Sequence, residues 1–161
     1  MFACSLQAQV SESEYKVAFI ERFTRFIEWP DSIKSDTFNI VIVGKTPLQS
    51  TLNELFTNIK IKNRDVRLIY SKDSIALINA NLVFIAGSEK RRIEKILTVT
   101  NKYPILTISD SKGYGTKGVH INMYNDDNYI RYEINQESIK NSKLIVNSLL
   151  LASAKIVRTN D

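Results

Sequence analysis

The chain has 161 residues, 43% of them hydrophobic and 24% charged, enough for one core of ordinary size and incompatible with a disordered or fibrous protein. Its longest apolar runs, Ile40 to Val43 and Leu149 to Ala152, are far too short to cross a bilayer as helices. The formal charge of +5 is scattered along the chain, so it reads as a solvated surface and not as a nucleic-acid footprint.

Met1 to Gln9 (MFACSLQAQ) carries no charge and gives way abruptly to an amphipathic pattern. Small residues near Ala8 suit the end of a signal peptide, so residues 1–8 are read as its remnant, with cleavage after Ala8. A genuine signal would begin upstream of Met1, because the positive segment and the full apolar core are missing. Two other readings stay open: Phe2-Ala3-Cys4 as a poor lipobox with Cys4 lipidated, and a disordered cytosolic N-terminus. Residues 9–161 are read as one domain, since no linker rich in Pro, Gly or Ser divides them.

Ser11 and Glu14 have capping-box spacing, and Tyr15, Ala18, Phe19, Phe23, Phe26 and Ile27 recur at helical spacing down to Trp29, where Pro30 stops the helix. Phe38 to Val43 reads as a buried strand ending at Gly44. Thr46 and Pro47 then open a second helix carrying Leu48, Leu52, Leu55, Phe56 and Ile59. Arg64 to Tyr70 is a strand, Ser74 to Ile78 a helical turn, and Asn81 to Ala86 a strand. Ser88 caps a basic helix with Ile93, Ile96 and Leu97, and Pro104 to Ser109 is the next strand. Val119 to Tyr124 and Tyr129 to Ile134 alternate around Asn125-Asp126-Asp127-Asn128, which is hairpin chemistry. A last helix is expected from Gln136 to Val157. The result is a single α/β domain: a mostly parallel sheet flanked by helices, with an antiparallel hairpin at one edge.

The residue inventory limits the chemistry. One Cys and one His cannot build a zinc-finger site, and no cofactor or metal is called for. Gly113-Tyr114-Gly115-Thr116-Lys117-Gly118 is a formal G-x-G-x-x-G, but a strand follows it, so a phosphate would lose the helix end it needs; a flexible turn is the better account. Ser109-Asp110 ends a strand, where open α/β sheets bind ligands, yet Ser109 has no evident base unless the fold delivers His120. Glu12, Glu14, Glu21 and Glu28 spread around their helix, and Glu89 to Lys95 reads as an exposed charged surface. Arg131 and Glu133 share strand parity and are expected to form a polar spot beside the glycine loop, as a ligand contact or a cross-strand ion pair. Nothing here assembles an active site.

The order of motifs resembles a known family. Tyr15-Lys16-x-Ala18-Phe19-Ile20-x-x-Phe23-x-x-Phe26-Ile27-Glu28-Trp29-Pro30 looks like the opening signature of the YfiR-like family of bacterial periplasmic proteins. Phe38 to Gly44 with Pro47, Leu82 to Lys90, Ile105 to Asp110 with Gly113 and Gly118, Ile121-Asn122, Arg131-Tyr132-Glu133-Ile134-Asn135 and Leu149-Leu150-x-Ala152 follow in order. The resemblance spans Tyr15 to Val157. It implies a non-enzymatic, exported, dimerising regulator that represses an inner-membrane diguanylate cyclase by binding its periplasmic sensor region, limiting cyclic-di-GMP synthesis and biofilm formation. A sensory module working with a histidine kinase, with a small-molecule ligand, is the alternative. Family members often carry disulfides, and this chain departs from that pattern. The surfaces expected to bind partner or ligand are Trp29 and Pro30 at the end of the first helix, and a rim of Ser109, Asp110, Gly113, Gly115, Gly118, Asn122, Arg131 and Glu133.

Overall fold

Ser11 closes the first helix as its spacing predicts. Its hydroxyl accepts from the Glu14 N–H at 3.2 Å, and its own N–H donates to the Glu14 carboxylate at 2.6 Å. The structure is a computed structural model and describes residues 10–31 and 35–160; the expected signal-peptide remnant lies outside them. Helix α1 (Glu12–Arg25) buries Val17, Ile20 and Phe23. It ends four residues before Trp29: Phe26 caps it, and Ile27–Glu28 leave as strand β1. The expected continuation to Trp29 is thus corrected, because Ile27 and Glu28 pair instead with strand β9 (Ile145–Val146) from the far end of the chain.

Strand β2 (Thr37–Val43) ends at Gly44, whose φ of +92° admits glycine readily. Thr46 accepts from the Leu48 N–H at 3.2 Å, but α2 (Gln49–Phe56) starts two residues later than the Thr-Pro pair predicts: Leu48 takes the cap position without a side-chain bond, and Ile59 lies beyond the helix. A hairpin absent from the sequence reading follows: β3 (Lys60–Ile61) turns into β4 (Arg64–Tyr70) through Lys62 and Asn63, both at positive φ. Next come α3 (Ser74–Ile78), β5 (Leu82–Ile85), α4 (Ile93–Thr100) and β6 (Leu106–Ser109). Ser88 does not cap α4; it lies in a 3-10 turn and accepts the Lys45 N–H at 2.9 Å, tying the ends of β2 and β5 together. The hairpin is β7 (Ile121–Asp126) and β8 (Tyr129–Asn135).

The single helix expected over 136–157 is replaced by four elements: α5 (Gln136–Lys140), β9, α6 (Ser148–Ala152) and β10 (Lys155–Val157). Side chains that compete for backbone groups divide it. Ser142 donates to the Ile139 carbonyl and accepts from the Leu144 N–H, Lys143 takes φ +63°, and Asn147 starts α6 by accepting the Leu149 N–H. The β-branched pairs Ile145-Val146 and Ile156-Val157 go into strands.

The main sheet has the order β10-β8-β7-β6-β5-β2-β4-β3. Strands β4, β2, β5, β6 and β7 run parallel, and antiparallel pairs close both ends, with β10 parallel to β8 at the extreme edge. One face packs on α1, α2 and the C-terminal segment around Phe23, Phe38, Phe56 and Ile134. The other packs on α3 and α4 around Val83, Ile85, Ile96 and Val119. A mixed, mostly parallel sheet in one α/β domain is therefore observed, as the sequence pattern predicts.

Candidate functional site

In a doubly wound sheet, ligands favour the crevice at the carboxyl ends of the strands where the order reverses, here between β2 and β5. That position is filled. The buried Glu89 carboxylate lies there, 3.0 Å from Arg92 and 3.6 Å from Lys72, and a Cβ on Gly44 would sit 2.7 Å from the Glu89 Cγ. The open depression lies farther along the same edge, past β6, β7 and β8. It holds about 460 Å³ and is lined by Lys16, Asp110, Asn122, Tyr124, Glu133 and Lys155 among others.

Each lining group is placed by its element. Asp110 follows the last residue of β6 and accepts from the Lys16 ammonium of α1 at 2.9 Å; the same ammonium lies 2.7 Å from Glu12. Burial works against the Lys16 charge, but the hydrogen bonds and charges of Glu12 and Asp110 outweigh it and hold its pKa above the usual lysine value. Asn122 on β7 is buried and uses three bonds: its amide donates to the Ser111 carbonyl and to Glu133, both at 3.0 Å, and its oxygen accepts the Ser111 N–H at 3.2 Å. Ser109 is fully buried beneath, its hydroxyl accepting from the same N–H at 3.3 Å. Glu133 is only 9% exposed and, among the described residues, has no cation within ion-pair distance.

The glycine loop serves the backbone. Gly113 takes φ +83° over open space, while a Cβ on Gly115 would come within 2.5 Å of the Glu133 carboxylate. Gly118 ends a 3-10 turn at φ +109° and faces Ser138 and Leu97. A strand follows, not a helix, so the loop opens no phosphate-binding helix end.

Asp110, Gly113, Asn122 and Glu133 therefore converge on the depression, with Ser109 and Gly115 supporting it from below. Gly118 lies toward α5. Arg131 does not join them, correcting the expected Arg131–Glu133 spot: it forms a cross-strand ion pair, as the alternative reading had it, but with Asp126, which holds its guanidinium at 2.6 Å out on the hairpin, and Arg131 is exposed. Trp29 and Pro30 lie at the opposite end of the sheet. The indole N–H donates to the Asn81 carbonyl at 3.1 Å, and the ring stands edge-on to Phe38 at 5.1 Å, so Trp29 pins the starts of β2 and β5. His120 is turned toward Thr107, whose N–H its Nδ1 accepts at 3.2 Å.

Sequence reasoning missed the lysines. Nothing local marks Lys16 as the partner of a residue 94 positions away. It missed a second concavity as well. A groove of about 750 Å³ runs between α1 and the β7–β8 hairpin, lined by Tyr15, Ala18, Phe19, Arg22, Tyr129 and Ile130. Tyr15 is 52% exposed and Tyr129 70%. The Asn125 amide donates to Glu12 at 3.4 Å, forming the divide between groove and depression, and Asn125 borders both.

The molecule is thus a doubly wound α/β domain with a polar depression at its strand ends and an aromatic groove beside it. The YfiR/HmsC-like family model matches residues 13–155, and the chain belongs to that family. Among solved structures it is similar to a conserved domain protein from Vibrio cholerae O1 biovar El Tor str. N16961. The two share 11% identity with a TM-score of 0.60 over 91% of this chain, which spans 60% of that longer one; the likeness is one of fold. No curated protein matches the sequence. Among the described residues, no helix is long and apolar enough to cross a membrane.

Proposed function

We propose that this domain is a non-enzymatic, exported regulator that acts as a homodimer in the periplasm. It binds the sensor region of an inner-membrane diguanylate cyclase, holds it inactive, and so limits cyclic-di-GMP synthesis and biofilm formation. Family membership over residues 13–155 carries this reading. The groove lends it geometric support: exposed Tyr15 and Tyr129 beside half-buried Phe19 and Ile130 are the kind of aromatic surface enriched at protein interfaces. The rim residues at Asp110, Asn122 and Glu133 continue that surface across the Glu12–Asn125 divide. Trp29 and Pro30, at the far end, form a separate proposed contact.

A small-molecule sensory role, serving a histidine kinase, is the second reading. The observation favouring it is the Glu133 carboxylate, nine-tenths buried at the depression and, among the described residues, without a countercharge.

The test uses the tagged chain from Gln9 as bait on cross-linked, detergent-solubilised membranes of its own source, alongside cellular cyclic-di-GMP with and without the gene. Capture of a membrane protein bearing a cyclase output domain, together with a rise in cyclic-di-GMP on deletion, is the expected result. Capture of a kinase instead selects the second reading. No capture and an unchanged cyclic-di-GMP level would overturn the first.

A further inference from the structure

The chain's one histidine sits at a thinly paired joint inside the sheet. Strands β6 and β7 share only two registered pairs, Ile108 with Ile121 and Ser109 with Asn122. One residue earlier, the ladder is replaced by side chains: the Thr107 N–H donates to His120 Nδ1 at 3.2 Å, and the His120 N–H donates to the Thr107 hydroxyl at 3.0 Å. On its other side, the His120 carbonyl accepts the Asn135 N–H at 2.9 Å. His120 thereby joins β6, the start of β7 and the end of β8.

The tautomer follows from the donors. A backbone N–H only donates, so Nδ1 is the bare nitrogen and the neutral ring carries its proton on Nε2. Nε2 is buried and lacks a partner of bonding geometry among the described residues. A second proton has one place to go, Nδ1, where it would face the Thr107 N–H donor to donor. The bond holding the joint then becomes a repulsion, inside a site where His120 is 1% exposed and a cation is poorly solvated.

We propose that His120 is an acid-operated latch on the β6–β7 joint. Neutral, it holds the two strands in register; protonated at Nδ1, it releases Thr107 and loosens the neighbouring rim of Ser109, Ser111 and Asn122. The coupling is short, since Ser109 and Asn122 form the next registered pair beyond Ile108 and Ile121. Ser111 hangs on Asn122 by two hydrogen bonds.

The surroundings leave the ring to set its own response. Burial pushes its pKa down to about 4, and the Ser138 backbone carbonyl offsets this in part. The charged groups on the elements around it are Glu94 and Lys95 on α4, Lys117 in the glycine loop, Asp126 on β7, Arg131 and Glu133 on β8, and Glu137 and Lys140 on α5. All are exposed except Glu133, which is bonded to Asn122. β6 itself (Leu106–Ser109) carries no charged side chain.

Because the chain has one His, its imidazole gives a single NMR signal. The experiment follows that signal and the backbone amides of the full chain from pH 7.5 to 3.5, for wild type and His120→Asn, whose side-chain oxygen takes the place of Nδ1 without titrating. At neutral pH the ring should show the Nε2–H tautomer. It should titrate well below the ordinary histidine value of 6.5, and the Thr107, Ser111 and Asn122 amides should shift with the same midpoint. In His120→Asn the step with the imidazole's midpoint should be missing from those amides. The latch is overturned by an Nδ1–H tautomer, by titration near the ordinary value, or by a ring that titrates while the rim amides stay still. Simultaneous loss of the β2 and β5 amides also overturns it, because that is global unfolding and not a local release.

Discussion

The Lys16 ammonium lies 2.9 Å from the Asp110 carboxylate, joining the first turns of α1 to the carboxyl end of β6 with both side chains largely buried. The pair does for this α/β domain what a helix end does in a nucleotide-binding one: it puts a fixed charge at the mouth of the sheet. Here, though, the charge is already neutralised by the protein's own acid.

Breaking that pair should be costly. Lys16→Met leaves Asp110 without its ammonium, and a loss of about 2–4 kcal/mol in folding stability is expected. Asp110→Asn should cost less, because Glu12 still accepts from Lys16 at 2.7 Å. A double-mutant cycle read by urea denaturation should give a coupling energy of about 1 kcal/mol or more; simple additivity would show that the contact is idle.

The two loop glycines should differ. Gly113→Ala meets only the cost of its positive φ, about 1 kcal/mol, because no atom of the described residues stands in the way of a Cβ. Gly115→Ala drives a Cβ to within 2.5 Å of Glu133, so the carboxylate must leave its bond to Asn122. A further loss of about 1–3 kcal/mol is expected. Thermal melting of both variants settles the order.

Acid should weaken the fold through His120. Its folded pKa is depressed to about 4 from the ordinary 6.5, so the unfolded chain takes up a proton first as pH falls. Stability contributed by the neutral ring is complete above about pH 6.5 and is lost progressively down to about 4, at a limiting slope of about 1.4 kcal/mol per pH unit. Denaturant titrations at several pH values should show this loss in wild type and its absence in His120→Asn.

Surface and pinning residues should separate in a combined binding and melting assay. Tyr129→Ala and Arg131→Ala remove exposed groups, and the Arg131–Asp126 ion pair is worth less than about 1 kcal/mol. Both variants should melt near wild type, and weakened partner capture by Tyr129→Ala would place the groove in the interface. Trp29→Ala removes the contact with Phe38 and leaves the Asn81 carbonyl without its indole donor. A loss of about 3–5 kcal/mol is expected from it, so reduced capture by that variant reports on folding first.

Local patterns carried much of the fold into view. The Ser11–Glu14 box and the continuous apolar run of β2 each act over a few residues and appear where they were expected, while α2 starts two residues past Pro47. The C-terminal segment was less legible because Ser142 and Asn147 compete with helical hydrogen bonds, a preference that periodicity alone does not weigh. At the site, strand parity paired Arg131 with Glu133, whereas the β7–β8 register sets Asn122 opposite Glu133. It could not show that Asp126, five residues before Arg131, takes that guanidinium away. Lys16 was invisible as a site residue because only the assembled sheet brings α1 over the end of β6.

The β1–β9 pairing also bears on the timetable of folding. Ile27 meets Val146, and the Asn147 N–H donates to the Phe26 carbonyl at 2.9 Å, so the exit from the first helix is held by residues made much later in synthesis. β10, the last strand, then covers the outer edge of β8. Until those segments emerge, α1 must wait with Val17, Ile20 and Phe23 lacking part of their cover, and the growing sheet has an open side. Closure of so long a loop makes the last steps slow relative to helix formation. A nascent chain stopped short of Ile145 would be a substrate for chaperones, not a smaller version of the domain.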